Sequence, residues 1–258
     1  MPKVAVEKDG PITVVSIDRF AEARNAVDPE TALLLREAFV AFDADESQSV
    51  AILTGRDGTF CAGYDLKVAA GRVTARLPDP EGPGPMGPTR HLLTKPVIAA
   101  VEGYAVAGGL ELALWCDMRV ASEGAKFGVF CRRWGVPLID GGTVRLPRLI
   151  GHSRALDMIL TGREVCADEA FAWGLANRLA PAGEALAEAK ALALQIAKFP
   201  QLCLRSDRQS SYDQWGFDLA AALVHEGRLG APALQQESRA GAARFAAGKG
   251  RGGDFGNI

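Results

Sequence analysis

Apolar positions along the chain change their spacing several times, and each change predicts an element. Val4–Val6 and Ile12–Ile17 flank Asp9-Gly10, the pattern of a β-hairpin. Asp28 before Pro29 predicts an N-cap and a first-turn proline for a helix through about Phe42. Val50–Leu53 is apolar without alternation, as expected of a strand covered on both faces, and Val97–Val101 and Met118–Ala121 repeat the pattern. Strands separated by helical stretches predict an α/β fold with a mainly parallel sheet and helical crossovers. From about Gly142 the spacing becomes helical, over 143–150, 153–160, 168–173, 184–198, 201–213, 217–229 and 233–246, with Gly162, Gly174 and Pro200 as stops. Leu77–Pro88 carries five prolines and three glycines, which predicts a mobile surface loop.

Composition narrows the function classes. The 258 residues are 48% hydrophobic, enough for one large core with an appendage. A net charge of −2 with no block of Lys and Arg speaks against a nucleic-acid surface. No apolar run approaches the ~18 residues of a membrane span, and the N-terminus lacks the apolar core of a signal peptide. The five cysteines (61, 116, 131, 166 and 203) form no C-x-x-C pair, so neither a zinc site nor a disulfide framework is expected. The expectation is a soluble, cytoplasmic protein.

Hydrolase and dinucleotide signatures are missing. No G-x-S-x-G occurs, no G-x-G-x-x-G follows the first strand, and His91, His152 and His225 are far apart. What recurs is a small-residue turn after a buried strand, once in "ILTGRDGTFCAGYDL" (52–66) and once in "AAVEGYAVAGGLEL" (99–112). Such turns let backbone N–H groups approach a ligand closely, and the second opens a helix whose first N–H groups favour negative charge. Two convergent donors of this kind suit a thioester enolate oxygen. Glu111, three residues past Gly108, is either a dipole-compensating acid or a catalytic one.

These segments resemble the crotonase family, the enoyl-CoA hydratase/isomerase superfamily. "FCAGYDLK" is similar to its A-G-x-D-[LI]-K turn, and "GYAVAGGLELALWCD" to its G-x-[AC]-x-G-G-G-x-E-L-A-x-x-C-D segment. "GGTVRLPRLIG", "ILTGREVCADEAFAWGLANRL" and "ESRAGAARFAAGKG" continue the likeness in order. The resemblance implies a crotonase-like ββα spiral core over residues 1–195, binding acyl-CoA, with a helical oligomerisation region over 196–258 that builds a homotrimer or a dimer of trimers. It implies an oxyanion hole from the N–H groups of Tyr64 and Gly108, with Glu111 as a catalytic acid/base. It further implies that Arg24, Ala62, Asp65, Leu66 and Lys67 line the CoA path, that Phe245 and Lys249 close over CoA, and that coenzyme A enters only as part of the substrate, with no metal or other cofactor. One departure matters. Where hydratases carry a second glutamate, in a segment like F-G-x-P-E, this chain has Cys131 within "FGVFCRRWGVPLIDGGT". Asp140 is the nearest alternative acid, either catalytic or an N-cap of the next helix. Hydration of a 2-enoyl-CoA is the leading expectation. An isomerase and a catalytically weak CoA-binding oligomer are the alternatives.

Overall fold

The computed structural model describes residues 2–71, 78–254 and 256, so Leu77 of the proline-rich stretch lies outside the described residues. The hairpin is formed by β1 (Val4–Asp9) and β2 (Ile12–Ile17). After α1 (Phe20–Ala23) comes α2 (Pro29–Ala44), where the Asp28 side chain accepts the Thr31 N–H, the cap expected from Asp28-Pro29. Next are β3 (Val50–Gly55), α3 (Leu66–Ala70), β4 (Val97–Val101), β5 (Tyr104–Val106) and α4 (Gly108–Trp115). β6 (Met118–Ser122) and β7 (Lys126–Gly128) precede α5 (Gly142–Ile150) and α6 (His152–Thr161). β8 (Glu164–Cys166), α7 (Ala167–Ala172), β9 (Arg178–Ala180) and α8 (Ala185–Ala197) complete the core, and α9 (Gln201–Asp213), α10 (Leu219–Gln236) and α11 (Ser238–Ala246) follow it.

The main sheet has the order β1-β2-β3-β4-β6-β9 and is parallel except for the hairpin. Its continuously apolar strands are covered on both faces. Ala51, Leu53, Ala99 and Val101 join a core with α2 and α4, whereas Val50, Ile52, Ile98 and Ala100 join one with Ala185, Ala189 and Leu192 of α8. Unbroken hydrophobicity in β3 and β4 is therefore the direct signature of a two-sided sheet. A small second sheet, β5-β7-β8, has only three-residue strands, too short for periodicity to reveal.

The C-terminal helices differ from the sequence expectation in one respect. α10 runs through Gly230 and Pro232 and ends only at Gln236. Its exposed outer face tolerates the missing proline N–H, which water can replace at the carbonyl left behind.

Candidate active site

The two small-residue turns meet. Cys61 donates its N–H to Tyr104 O (2.8 Å) and accepts the Val106 N–H (3.1 Å), joining the turn after β3 to β5. Any side chain at position 109 would run into the Cys61 carbonyl, so this approach requires glycine. Asp65 is buried, with Oδ2 3.2 Å from Arg19 Nη2 and Oδ1 accepting the Lys67 N–H. Its carboxylate faces the protein and fixes the turn. Ala107 precedes α4 at φ 54, ψ −124, a conformation that favours glycine, and the family pattern has glycine there. This backbone setting makes Gly108 the first residue of α4, with an N–H that has no acceptor inside the helix.

One turn along α4 stands Glu111, only 3% exposed. Every residue of α4 is buried, and Arg119 secures its far end by donating to Ala113 O (3.2 Å) and Cys116 O (2.9 Å). Glu111 Oε1 accepts the N–H groups of Asp140 and Gly142, both at 2.8 Å. Oε2 is thus the oxygen left for the adjoining cavity of about 290 Å³, which Glu111 lines with Tyr64, Gly108, Cys131, Trp134 and Asp140. Burial, with the charge of Asp140 added, pushes the Glu111 carboxyl up to about 7 against the pull of the two N–H groups and Arg145. A carboxylate serving only the helix dipole would sit at the surface with a low proton affinity. This one is enclosed and poised near neutrality.

Asp140 is not an N-cap. Gly141, at φ 100, occupies the cap position of α5 without a side-chain bond, and its left-handed turn swings residue 140 away from the helix end. The buried Asp140 carboxylate instead accepts the Thr89 hydroxyl and the Met86 N–H (3.1 Å), and burial raises its proton affinity. Cys131 is buried in the 3-10 turn Phe130–Trp134. Burial first, then the charge of Glu111, pushes its thiol up, so the group beside the catalytic candidate is neutral at ordinary pH.

The remaining sequence-predicted residues fall in three places. Ala62, Tyr64 and Leu66 line the cavity. Lys67 is exposed at the start of α3, and Arg24 is exposed beside the same turn, where its carbonyl accepts the Ala62 N–H at 3.3 Å. Phe245 and Lys249 are not brought to this cavity within the chain. They line a separate hollow with Lys198 and Arg244. Sequence reasoning missed Met86 and Trp134, which also line the cavity, because nothing in a proline-rich stretch or a 3-10 turn reports which way a side chain faces.

The family model for enoyl-CoA hydratase/isomerase matches residues 7–248. The chain is 41% identical over 220 residues to the enoyl-CoA hydratase EchA19 of Mycobacterium tuberculosis, covering 81% of each. It is 39% identical over 201 residues to a carnitinyl-CoA dehydratase of Salmonella typhi, covering 76% of this chain and 75% of the relative. The crystal structure of the enoyl-CoA hydratase EchA1 of Mycobacterium marinum superposes with a TM-score of 0.88 at 37% identity, covering 96% of each chain. The match spans the hairpin, both turns, the Glu111 helix and the C-terminal helices: the chain belongs to the enoyl-CoA hydratase/isomerase family.

Proposed function

We propose that the protein adds water to the double bond of a 2-enoyl-CoA, and removes it in reverse, with Glu111 as the single proton-transferring group. The observation that carries this reading is the Glu111 carboxyl itself. One oxygen is fixed by two backbone N–H groups, the other is left for an apolar-walled cavity, and the proton affinity lies near neutral pH. The thioester oxygen would accept the N–H groups of Tyr64 and Gly108. A water molecule would lose a proton to Glu111 as its oxygen bonds to C3, the C2=C3 electrons moving toward the carbonyl to form an enolate. The enolate would then take the proton from Glu111 at C2, giving the 3-hydroxyacyl-CoA and returning the carboxylate. Atoms balance with no other reactant, so the reaction calls for no metal or redox group.

A neutral Cys131 on the wall supports a one-carboxylate mechanism. That feature equally suits an isomerase, which moves one proton between two carbons. Asp140 assists from its fixed place through its charge. Arg24, Leu66 and Lys67 are proposed to receive the CoA moiety. Phe245 and Lys249 would do so from a neighbouring subunit of a homotrimer or dimer of trimers. The exposed apolar side chains of α10, Leu219, Leu223, Val224 and Leu234, support such an assembly. Five unpaired cysteines fit a cytoplasmic setting. Among the described residues no helix is long and apolar enough to cross a membrane.

The test is turnover of short, medium and branched 2-enoyl-CoA esters in ¹⁸O- and deuterium-labelled water, read by mass spectrometry. Uptake of ¹⁸O at C3 is the expected result. Deuterium exchange alone would mean an isomerase, and neither label would leave a binding protein.

A further inference from the structure

The two N–H groups that hold Glu111 belong to the 139–142 turn, and that turn is itself held by side chains that do not line the cavity. Arg145, on the first turns of α5, donates Nη1 to Asp140 O (3.0 Å) and Nη2 to Thr89 O (2.7 Å). Arg90 donates Nη2 to Ile139 O (2.9 Å) and Nη1 to the carbonyls of Asp79 (2.7 Å), Pro80 (3.0 Å) and Gly82 (3.1 Å). Asp140 completes the link through its bonds to Met86 and Thr89. A side chain at position 84 would collide with Asp140 Oδ1, so this closeness depends on glycine.

We infer that Arg90 and Arg145 are positioning residues for Glu111: they clasp the 78–90 segment, which supplies cavity wall, to the turn whose N–H groups orient the Glu111 carboxylate. The inference rests on the hydratase reading for its catalytic consequence and on geometry for the clasp. Three facts support it. Both arginines line the cavity on the far side of the turn, not the one that Glu111 and Cys131 share, so they act through the turn rather than on substrate. Among the described residues Arg145 makes no carboxylate pair. It spends its planar fork on two main-chain carbonyls from different segments, a geometry that a lysine cannot reproduce. Pro78, Pro85 and Met86 of the clasped segment face substrate space, so one set of bonds fixes both the wall and the acid/base. The proline-rich stretch expected to be a mobile loop is thereby anchored at several points.

Backbone misplacement of about 1 Å at a reacting group can cost ~10²-fold in rate. The test measures amide hydrogen exchange over residues 84–90 and 139–143, with kcat and KM for a 2-enoyl-CoA per folded enzyme, in Arg145→Gln, Arg145→Lys and Arg90→Gln. Arg145→Gln should speed exchange in both segments together and lower kcat by about 10- to 100-fold, with a smaller change in KM. Its pH profile should move upward, because Glu111, faced by Asp140, Cys131 and Arg145, loses its nearby cation. Arg145→Lys should restore the profile but not the full kcat. Arg90 is exposed, so Arg90→Gln keeps the test open if Arg145→Gln fails to fold; it should loosen 139–143 and lower kcat by several-fold (about 3- to 10-fold). Unchanged exchange at 139–143 in either variant, or kcat within about twofold of wild type in a folded Arg145→Gln, would overturn the inference. A wild-type enzyme without enoyl-CoA turnover would instead defeat the hydratase reading. The exchange data alone would then decide the clasp.

Discussion

Glu111 is costly to the fold in the form that catalysis needs. Its folded pKa, about 7, is raised above the ordinary carboxylate value, so the folded state binds the proton more tightly than the unfolded chain does. Its contribution to stability is full at acid pH and is lost as pH rises through about 7. Glutamine keeps an oxygen for the Asp140 and Gly142 N–H groups and never ionises. Glu111→Gln should therefore match wild type in thermal stability near pH 4, below the ordinary carboxylate value, and exceed it at pH 8, by up to about 3 kcal/mol. Melting curves at the two pH values check this; a variant less stable at both would show that the carboxylate is not held under strain. The proposed role of Glu111 was legible in the sequence only as one of two readings, because an acid in the first turn of a helix also suits the dipole, and it was the family likeness that favoured catalysis. Its enclosure was not, because the donors come from residues 140 and 142, about thirty positions away. Arg119 was equally hidden. A fully buried arginine that satisfies itself on main-chain carbonyls leaves no local pattern.

At the scale of elements, apolar runs located β3, β4 and β6, and the Asp28-Pro29 and Gly162 signals located helix ends, because these depend on local chemistry. The short strands β5, β7 and β8 escaped because tertiary pairing alone defines them. The start of α5 left two readings of Asp140 open for a related reason. An aspartate before two glycines looks like a cap, yet the glycine at 141 takes the cap position and frees the acid for the 84–89 segment. Asparagine at 140 can still accept from Met86 and Thr89, whereas alanine cannot. Asp140→Asn should keep the melting temperature. Removing a charge that raises the Glu111 pKa, it should also move the midpoint of kcat/KM to lower pH. Asp140→Ala should lose about 1–3 kcal/mol, because a buried donor is left unpaired, together with turnover. An unmoved midpoint in Asp140→Asn would mean that Asp140 does not act on Glu111 by charge.

For the whole molecule, the core in residues of the sheet, α2, α4 and α8 forms around the Glu111 site, while α10 leaves large apolar side chains in solvent. Leu219 and Leu223 are 76% and 59% exposed one helical turn apart. If α10 joins subunits in the proposed homotrimer or dimer of trimers, the double substitution to lysine should lower the mass seen by light scattering and weaken CoA-ester binding by removing a neighbour's Phe245 and Lys249. An unchanged mass would contradict an assembly through α10. The central claim is that Glu111 alone moves the proton. Hydration by one recycled carboxylate gains no net proton, so both directions require the ionised form. The most direct measurement is the rate of ¹⁸O incorporation into a 2-enoyl-CoA from pH 5 to 9 in wild type and Glu111→Gln. Wild-type kcat/KM should rise through about pH 7 and level off, and the variant should be slower by about 10²-fold or more with no such rise. A variant within a few-fold of wild type, or a wild-type profile flat across this range, would contradict the account.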